Sequence, residues 1–441
     1  MAYRDIFLVQ SSCKGGLFLW LMVKLKEDIF NYKIKITLLC KLNIKEIFMY
    51  QLLATSPMGL EAVVAKEVNE LGYETKTENG RVLFEGDARA IVRSNLWLRT
   101  ADRVKIVVGR FYATTFDQLF EQTKALPWED IIGPQGSFPV SGKSLKSKLF
   151  SVPDCQAIVK KAIVERLKKA HDIKGWIDES GALYKVEVSI LKDEVLLTID
   201  TSGAGLHKRG YRLAQGAAPM KETLAAALVR LSNWNGDTPF IDPFCGSGTI
   251  AIEAAMIAQN IAPGFNREFA SEEWDIIPEE MYEEERIKAD NEALYDKEID
   301  ITASDIDPEM IKIAQNNATE VGFGDLIKFK QMNVHDLTLH AEKGAIVGNP
   351  PYGERIGERD EVEAMYKYLG ELIKENPKWS LYIMTSYKEF EVLVGKKATK
   401  RRKLFNGYLE CTYYQYWGEN NGIQRTGPGP FVTWGQSGRS D

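Results

Sequence analysis

The second half of this 441-residue chain predicts a doubly wound α/β sheet, and the first half a smaller α+β module. Three observations lead there. From about residue 218, short apolar runs alternate with runs of helical period, the rhythm of a parallel sheet with crossover helices. The first of those strands ends in a glycine turn, Asp242-Pro243-Phe244-Cys245-Gly246-Ser247-Gly248-Thr249, which opens a helix. Between residues 50 and 212 the strands alternate in polarity, and two form a hairpin around Lys192-Asp193, a sign of antiparallel pairing.

Each element follows from its pattern. A strand at 50–54 precedes a helix at 59–71, with Leu60, Val63, Val64, Val68 and Leu71 at i, i+3, i+4 spacing. A strand at 81–84, a helix at 87–95 and an alternating strand at 103–112 complete a unit, 50–114, of ferredoxin-like pattern. The unit 115–212 has helices at 116–126 and 153–170 and the hairpin 184–191/194–200. The unit 215–418 begins with a strand ending at Phe240-Ile241 and a helix at 249–259. A strand at 301–304, a helix at 308–321, and strands at 327–331, 345–347 and 380–385 follow, with a helix at 361–374. A hairpin over 403–417 is expected to turn at Asn406-Gly407. Residues 1–48 are Lys/Ile/Leu-rich without clear periodicity; Met49 reads as the natural start and 1–48 as an extension outside the fold. The stretch 419–441, with Gly, Pro and Ser and no alternation, reads as a disordered or added tail.

Composition narrows the class. The chain is 44% apolar and 27% charged, as in ordinary soluble proteins. Five cysteines without a CxxC pair, and four histidines, argue against a zinc site or disulfide framework and for a reducing cytoplasmic setting. No apolar run reaches the ~18–20 residues of a membrane span. The net charge of −6 is uneven: +4 over 1–49, +3 over 50–215 and −13 over 216–441. An acidic total therefore leaves room for a nucleic-acid partner on the front part. Lys143, Lys146, Lys148, Lys160, Lys161, Arg166, Lys168 and Lys169 form a run with only two acids among them, either a solvated face or a phosphate-binding surface.

The glycine turn carries the cofactor signal. Gly246 and Gly248 let the backbone bend and approach a ligand. No GK[ST] follows, and the third glycine of a dinucleotide fingerprint is missing. Asp242 in the turn would repel a pyrophosphate and favour a cationic ligand, which points to S-adenosylmethionine. Asp305 ends the second strand, where a carboxylate can accept both ribose hydroxyls. The 63 residues between these acids hold an insertion, 267–300, with 14 acids against 4 bases, expected to be a solvated helical elaboration. Asp336, after the third strand, is placed either for an adenine amino group or as a turn residue. The fourth strand ends in Asn349-Pro350-Pro351-Tyr352, suited to an amino group on an aromatic ring: amide and carbonyl oxygens for the N–H bonds, a ring for stacking.

Together these motifs resemble the class I S-adenosylmethionine-dependent methyltransferases of the NPPY type. Residues 50–212 resemble the ferredoxin-like plus THUMP front of RNA methyltransferases, and 206–212, Leu-His-Lys-Arg-Gly-Tyr-Arg, the junction motif. The whole is similar to the family that includes the N-terminal half of the bacterial large-subunit ribosomal RNA N2-guanine methyltransferase. The resemblance implies methylation of a guanine N2 in RNA, ribosomal by family, with no metal and no membrane involvement. It implies a cofactor site of Asp242, Cys245, Gly246, Ser247, Gly248, Thr249, Asp305, Ile306 and Asp336, closed by Pro219-Met220-Lys221-Glu222, and an acceptor site of Asn349, Pro350 and Tyr352. Gly348 stands where the family more often has Thr or Ser. Cys245 is read as a packing residue rather than a nucleophile. Adenine N6 methylation of RNA or DNA, glutamine methylation on a protein, and a non-catalytic ribosome assembly factor remain as alternatives.

Overall fold

The computed structural model describes residues 7–13, 16–22, 48–212, 220–352 and 359–419. Pro219, the stretch 353–357 that follows the NPPY, and the tail beyond 419 lie outside the described residues. Within 1–48, β1 (Phe7–Cys13) and β2 (Gly16–Met22) pair as an antiparallel hairpin with a sheet of its own.

The two front units share one continuous sheet. Its strands are β3 (Tyr50–Thr55), β4 (Thr75–Glu78), β5 (Arg81–Gly86), β6 (Arg103–Tyr112), β7 (Val140–Leu145), β8 (Lys185–Leu191) and β9 (Glu194–Asp200). They lie in the order β4-β5-β3-β6-β9-β8-β7. The junction is β6 against β9, paired from Lys105↔Asp200 to Tyr112↔Glu194 with a bulge between Val107 and Gly109. Lys192 and Asp193 turn the β8–β9 hairpin, both at positive φ as a two-residue hairpin turn requires. Helices α1 (Glu61–Glu70), α2 (Ala88–Trp97), α3 (Phe116–Lys124) and α4 (Val152–Ala170) cover this sheet.

The second sheet is doubly wound. Its strands are β10 (Phe240–Asp242), β11 (Ile301–Asp305), β12 (Ile327–Gln331), β13 (Gly344–Gly348), β14 (Trp379–Thr385), β15 (Lys400–Asn406) and β16 (Leu409–Tyr416). The order is β12-β11-β10-β13-β14-β16-β15, parallel from β12 to β14, with β16 and β15 antiparallel. β10 lies between β11 and β13, so the strand order reverses there, and ligands of such sheets sit beyond the strand carboxyl ends at that point. Between and around these strands run α5 (Glu222–Leu231), α6 (Thr249–Ala258), α7 (Met281–Glu292), α8 (Pro308–Thr319), α9 (Arg359–Glu375) and α10 (Phe390–Val394). Every residue of α6 is buried, as expected for a helix apolar all round beneath a sheet. The final hairpin turns at Gly407-Tyr408, one residue later than expected, because Asn406 pairs with Leu409.

The acidic insertion is not a solvated elaboration. Phe269, Trp274, Ile277 and Tyr282 are buried in the apolar core of the front module. Trp274 stacks on Tyr184 at 4.6 Å between centroids and donates its indole N–H to the Leu183 carbonyl at 3.1 Å. Arg89 pairs with Glu284 at 2.8 Å, and its other nitrogen with Glu285. Most of its acids, Glu285 apart, coat the outside of a clamp whose aromatics hold the front module to the second sheet.

The junction motif adds a second tie. Arg209 and Glu253, both almost wholly buried, pair at 3.2 Å. Tyr211 also donates to Glu253, and Arg209 donates to the Arg99 and Leu206 carbonyls. Arg230 of α5 reaches Glu67 and Glu70 of α1. A buried charge that keeps all its partners is tolerated, whereas removing one partner is costly, so these ion pairs fix the relative placement of the two sheets.

Candidate active site

Beyond the carboxyl ends of β10, β11 and β13 lies a cavity of about 820 Å³. The glycine turn forms its floor. Gly246 (φ 50) has open space where a Cβ would stand, and Gly248 (φ 82) packs against Ala314 at the start of α6. Cys245 is pinned by its N–H to the Ser304 carbonyl at 2.9 Å, and burial first of all raises its thiol pKa far out of the physiological range. That is the state of a packing residue.

Asp242 is fully buried. One of its oxygens accepts the Phe244 N–H at 3.2 Å, and the other, Oδ2, has no hydrogen-bond partner. Burial, with a smaller contribution from Asp305, raises its pKa to about 8. A buried carboxylate oxygen without a donor is costly, and a cationic donor would relieve that cost. Asp305 accepts the Gly246 N–H on Oδ2 at 2.9 Å and the Asp307 N–H on Oδ1 at 3.0 Å. Each oxygen keeps a second lone pair, so the carboxylate braces the turn and can still accept a pair of hydroxyls. The unpaired Asp242 oxygen, the open face at Gly246 and the carboxylate of Asp305 together fit a ligand with an ammonium group and a ribose.

The acceptor end begins where β13 stops. Asn349 and Pro351 line the cavity, while Pro350 is buried behind them. Asn349 Oδ1 accepts the Tyr352 hydroxyl at 2.5 Å, and Asn406 at the end of β15 donates to the same tyrosine oxygen at 3.4 Å. The Pro351 carbonyl accepts the Tyr366 hydroxyl at 3.3 Å, and Tyr366 also bonds Thr385 at 2.9 Å. Gly348 has a reason: a Cβ there would meet the Phe244 ring at 2.9 Å.

Not every residue singled out in the sequence reaches the cavity. Cys245, Gly246, Ser247, Thr249, Asp305, Ile306 and Asn349 line it, whereas Asp242 and Gly248 lie behind the lining. Asp336 is exposed at the end of a 3₁₀ turn, and Asn333, Val334 and His335 of that turn line the cavity instead. Met220 lines it, but Lys221 is exposed and its charge acts on the junction, where burial and then Lys221 push the His207 imidazole down to about 4. Glu222 is buried against Arg212 at 3.3 Å; Arg212 in turn holds the Met220 carbonyl at 2.8 Å and Thr249 at 3.0 Å. Tyr352 packs beside the lining rather than on it. Glu361, Met365 and Met332 also line the cavity, and no motif in the sequence marked them.

The basic run divides in space. Lys143, Lys146 and Lys148 lie at the end of β7 and the loop after it, next to Phe150, which is 82% exposed. Lys168 and Lys169 lie in the last turn of α4, which begins at Val152, so most of the helix, roughly 24 Å, separates them from that loop. Lys143 pairs with Glu187, Lys160 with Glu179 and Arg166 with Glu129. Lys161 is exposed on α4, facing the Phe120 ring.

The parallel sheet, its glycine turn and the acid at each of two strand ends define a class I S-adenosylmethionine-dependent methyltransferase. Comparison with known proteins makes the family specific. Residues 209–415 match the RMKL-like methyltransferase domain, 51–105 the RlmL ferredoxin-like domain and 113–200 the THUMP domain. A relative from Bacillus subtilis (strain 168), named "Putative RNA methyltransferase YpsC", is 62% identical, covering 83% of this chain and 96% of that protein. The solved structure titled as a "predicted N6-adenine-specific DNA methylase" from Listeria monocytogenes is 59% identical, with a TM-score of 0.81 over 86% of this chain and 98% of that one. That of SMU.472, "a putative methyltransferase complexed with SAH", is 47% identical, with a TM-score of 0.81 over 84% and 98%. The chain belongs to this family of THUMP-domain RNA methyltransferases, and its cofactor is S-adenosylmethionine.

Proposed function

We propose that the chain methylates the exocyclic N2 of a guanine in RNA, and that the RNA is that of the large ribosomal subunit. The observation that carries the reading is one cavity lined by Gly246 and Asp305 at one end and Asn349 at the other, with the buried Asp242 just before the glycine turn that forms its floor. When bound, S-adenosylmethionine supplies a sulfonium methyl already activated for displacement. The protein's task is then the acceptor. Guanine's amino lone pair is delocalised into the ring, and hydrogen bonds from its two N–H groups to Asn349 Oδ1 and the Pro350 carbonyl would draw it out. The same bonds stabilise the positive charge that develops on nitrogen. Tyr352 already donates to Oδ1, which fixes the amide with its oxygen as acceptor and leaves a second lone pair for the base.

RNA as the substrate rests on the THUMP match and on the names of the relatives. Lys146, Lys148 and exposed Phe150 are the part of the front module best suited to hold it, a loop with charge for phosphates and a ring for stacking. Ribosomal RNA and guanine rest on the family resemblance. The Listeria relative's title favours a second reading, N6 of adenine. Labelled methyl transfer to total RNA from a strain lacking the gene, followed by nucleoside analysis, decides between them. N2-methylguanosine in the large ribosomal RNA is the expected product; N6-methyladenosine would replace the reading.

A further inference from the structure

We infer that the edge hairpin of β15 and β16 is a second RNA-holding surface, which guides the strand flanking the target base into the acceptor end. The inference rests on the reading that RNA is the substrate. Residues 396–403 read Lys-Lys-Ala-Thr-Lys-Arg-Arg-Lys, six bases without an acid, in a segment whose net charge is −13. Lys396, Lys397, Lys400, Arg401 and Lys403 are all exposed. Arg401 pairs with Glu391 and Lys403 with Glu410, whereas Lys396, Lys397 and Lys400 make no ion pair to another described residue.

Their position gives them a direction. β15 is the last strand of its sheet, about 20 Å from end to end. At one end, Asn406 donates to the Tyr352 hydroxyl beside Asn349. Along its length, Arg402 donates to the Gly59 carbonyl of the front module at 2.8 Å. The ridge therefore runs along the join between front module and second sheet and ends at the acceptor residues. At its tip Tyr408, in the turn after Gly407, is fully exposed. A tyrosine ring wholly in water does no packing; beside a basic strand it is a stacking platform for a base.

Lysines on an edge strand also discourage edge-to-edge pairing of sheets, which requires no ligand. The two explanations differ in the salt dependence of RNA binding. Binding of a fluorescein-labelled single-stranded RNA of mixed sequence is measured against salt for the full chain, for K396Q/K397Q/K400Q, and for K396R/K397R/K400R. Loss of three phosphate contacts should shallow the log Kd against log salt slope by about 2, and the arginine variant should keep it. Y408A should weaken binding roughly tenfold without moving the slope. On total RNA from a strain lacking the gene, the glutamine variant should raise KM for RNA and leave kcat and cofactor affinity unchanged. An unmoved slope and KM in a variant that melts like the parent would overturn the inference while leaving the RNA reading intact. Failure of the parent chain to bind or methylate RNA would overturn both.

Discussion

The two ends of the cavity are built on opposite principles. At the cofactor end, Asp242 is wholly buried and one of its oxygens has no partner. At the acceptor end, Asn349 is half-buried and its amide oxygen is already satisfied by Tyr352, which Asn406 holds in turn. The difference follows from the ligands. A cationic ligand can complete a buried carboxylate, so leaving the atom unpaired turns its desolvation into affinity. A neutral base brings no charge to offset such a cost, and the protein satisfies the acceptor itself until the base arrives. One end stores an unmet interaction; the other stores a geometry.

Removing the acceptor geometry should have the largest effect. Asn349→Ala should lower the rate of methyl transfer roughly 10²–10³-fold, the range for losing a hydrogen-bonding group aimed at developing charge. Binding of S-adenosylhomocysteine, followed by calorimetry, should stay within twofold. Asp242→Asn should do the reverse: binding weakened by about 2 kcal/mol, some thirtyfold, with turnover at saturating cofactor close to the parent's.

pH separates the ends next. Because the folded pKa of Asp242 is raised to about 8, above its unfolded value, its protonated form stabilises the ligand-free protein at low pH. That stability is lost as pH rises through about 8, so the melting temperature of the ligand-free protein should fall from pH 6 to 8.5. Cofactor affinity moves the other way, since the ammonium selects the carboxylate: it should tighten about tenfold between pH 6.5 and 7.5. Asp242→Asn should flatten both profiles, whereas Asn349→Ala should leave them. The smallest effect expected is that of Tyr352→Phe, which keeps the ring but loses one hydrogen bond to Asn349 Oδ1 and should slow transfer only several-fold. A loss as large as that of Asn349→Ala would mean that the hydroxyl takes part in the chemistry.

The sequence revealed the glycine turn and the acceptor loop better than the rest of the cavity wall, for physical reasons. The glycine turn needs particular backbone angles, and an acid in an apolar strand end is conspicuous. Asp336 falls outside the lining because a turn of four residues presents only some of them inward, and which ones depends on a 3₁₀ geometry that composition does not reveal. β4, Thr-Lys-Thr-Glu, and β7, Val-Ser-Gly-Lys-Ser-Leu, went unrecognised because edge strands bury little and carry no apolar alternation. The insertion misled most: its 14 acids suggested a solvated surface, while Trp274 and Tyr282, two aromatics among them, determine where it packs. The basic run is the converse case, near in sequence yet separated by the length of α4.

The account turns on the claim that donor binding and acceptor activation reside in separate residues. Single-turnover methyl transfer and S-adenosylhomocysteine affinity, measured together on Asn349→Ala and Asp242→Asn, test it most directly. The predicted result is a crossed pattern, with rate lost and affinity kept in the first, affinity lost and rate kept in the second. Both quantities falling together in both variants would contradict it.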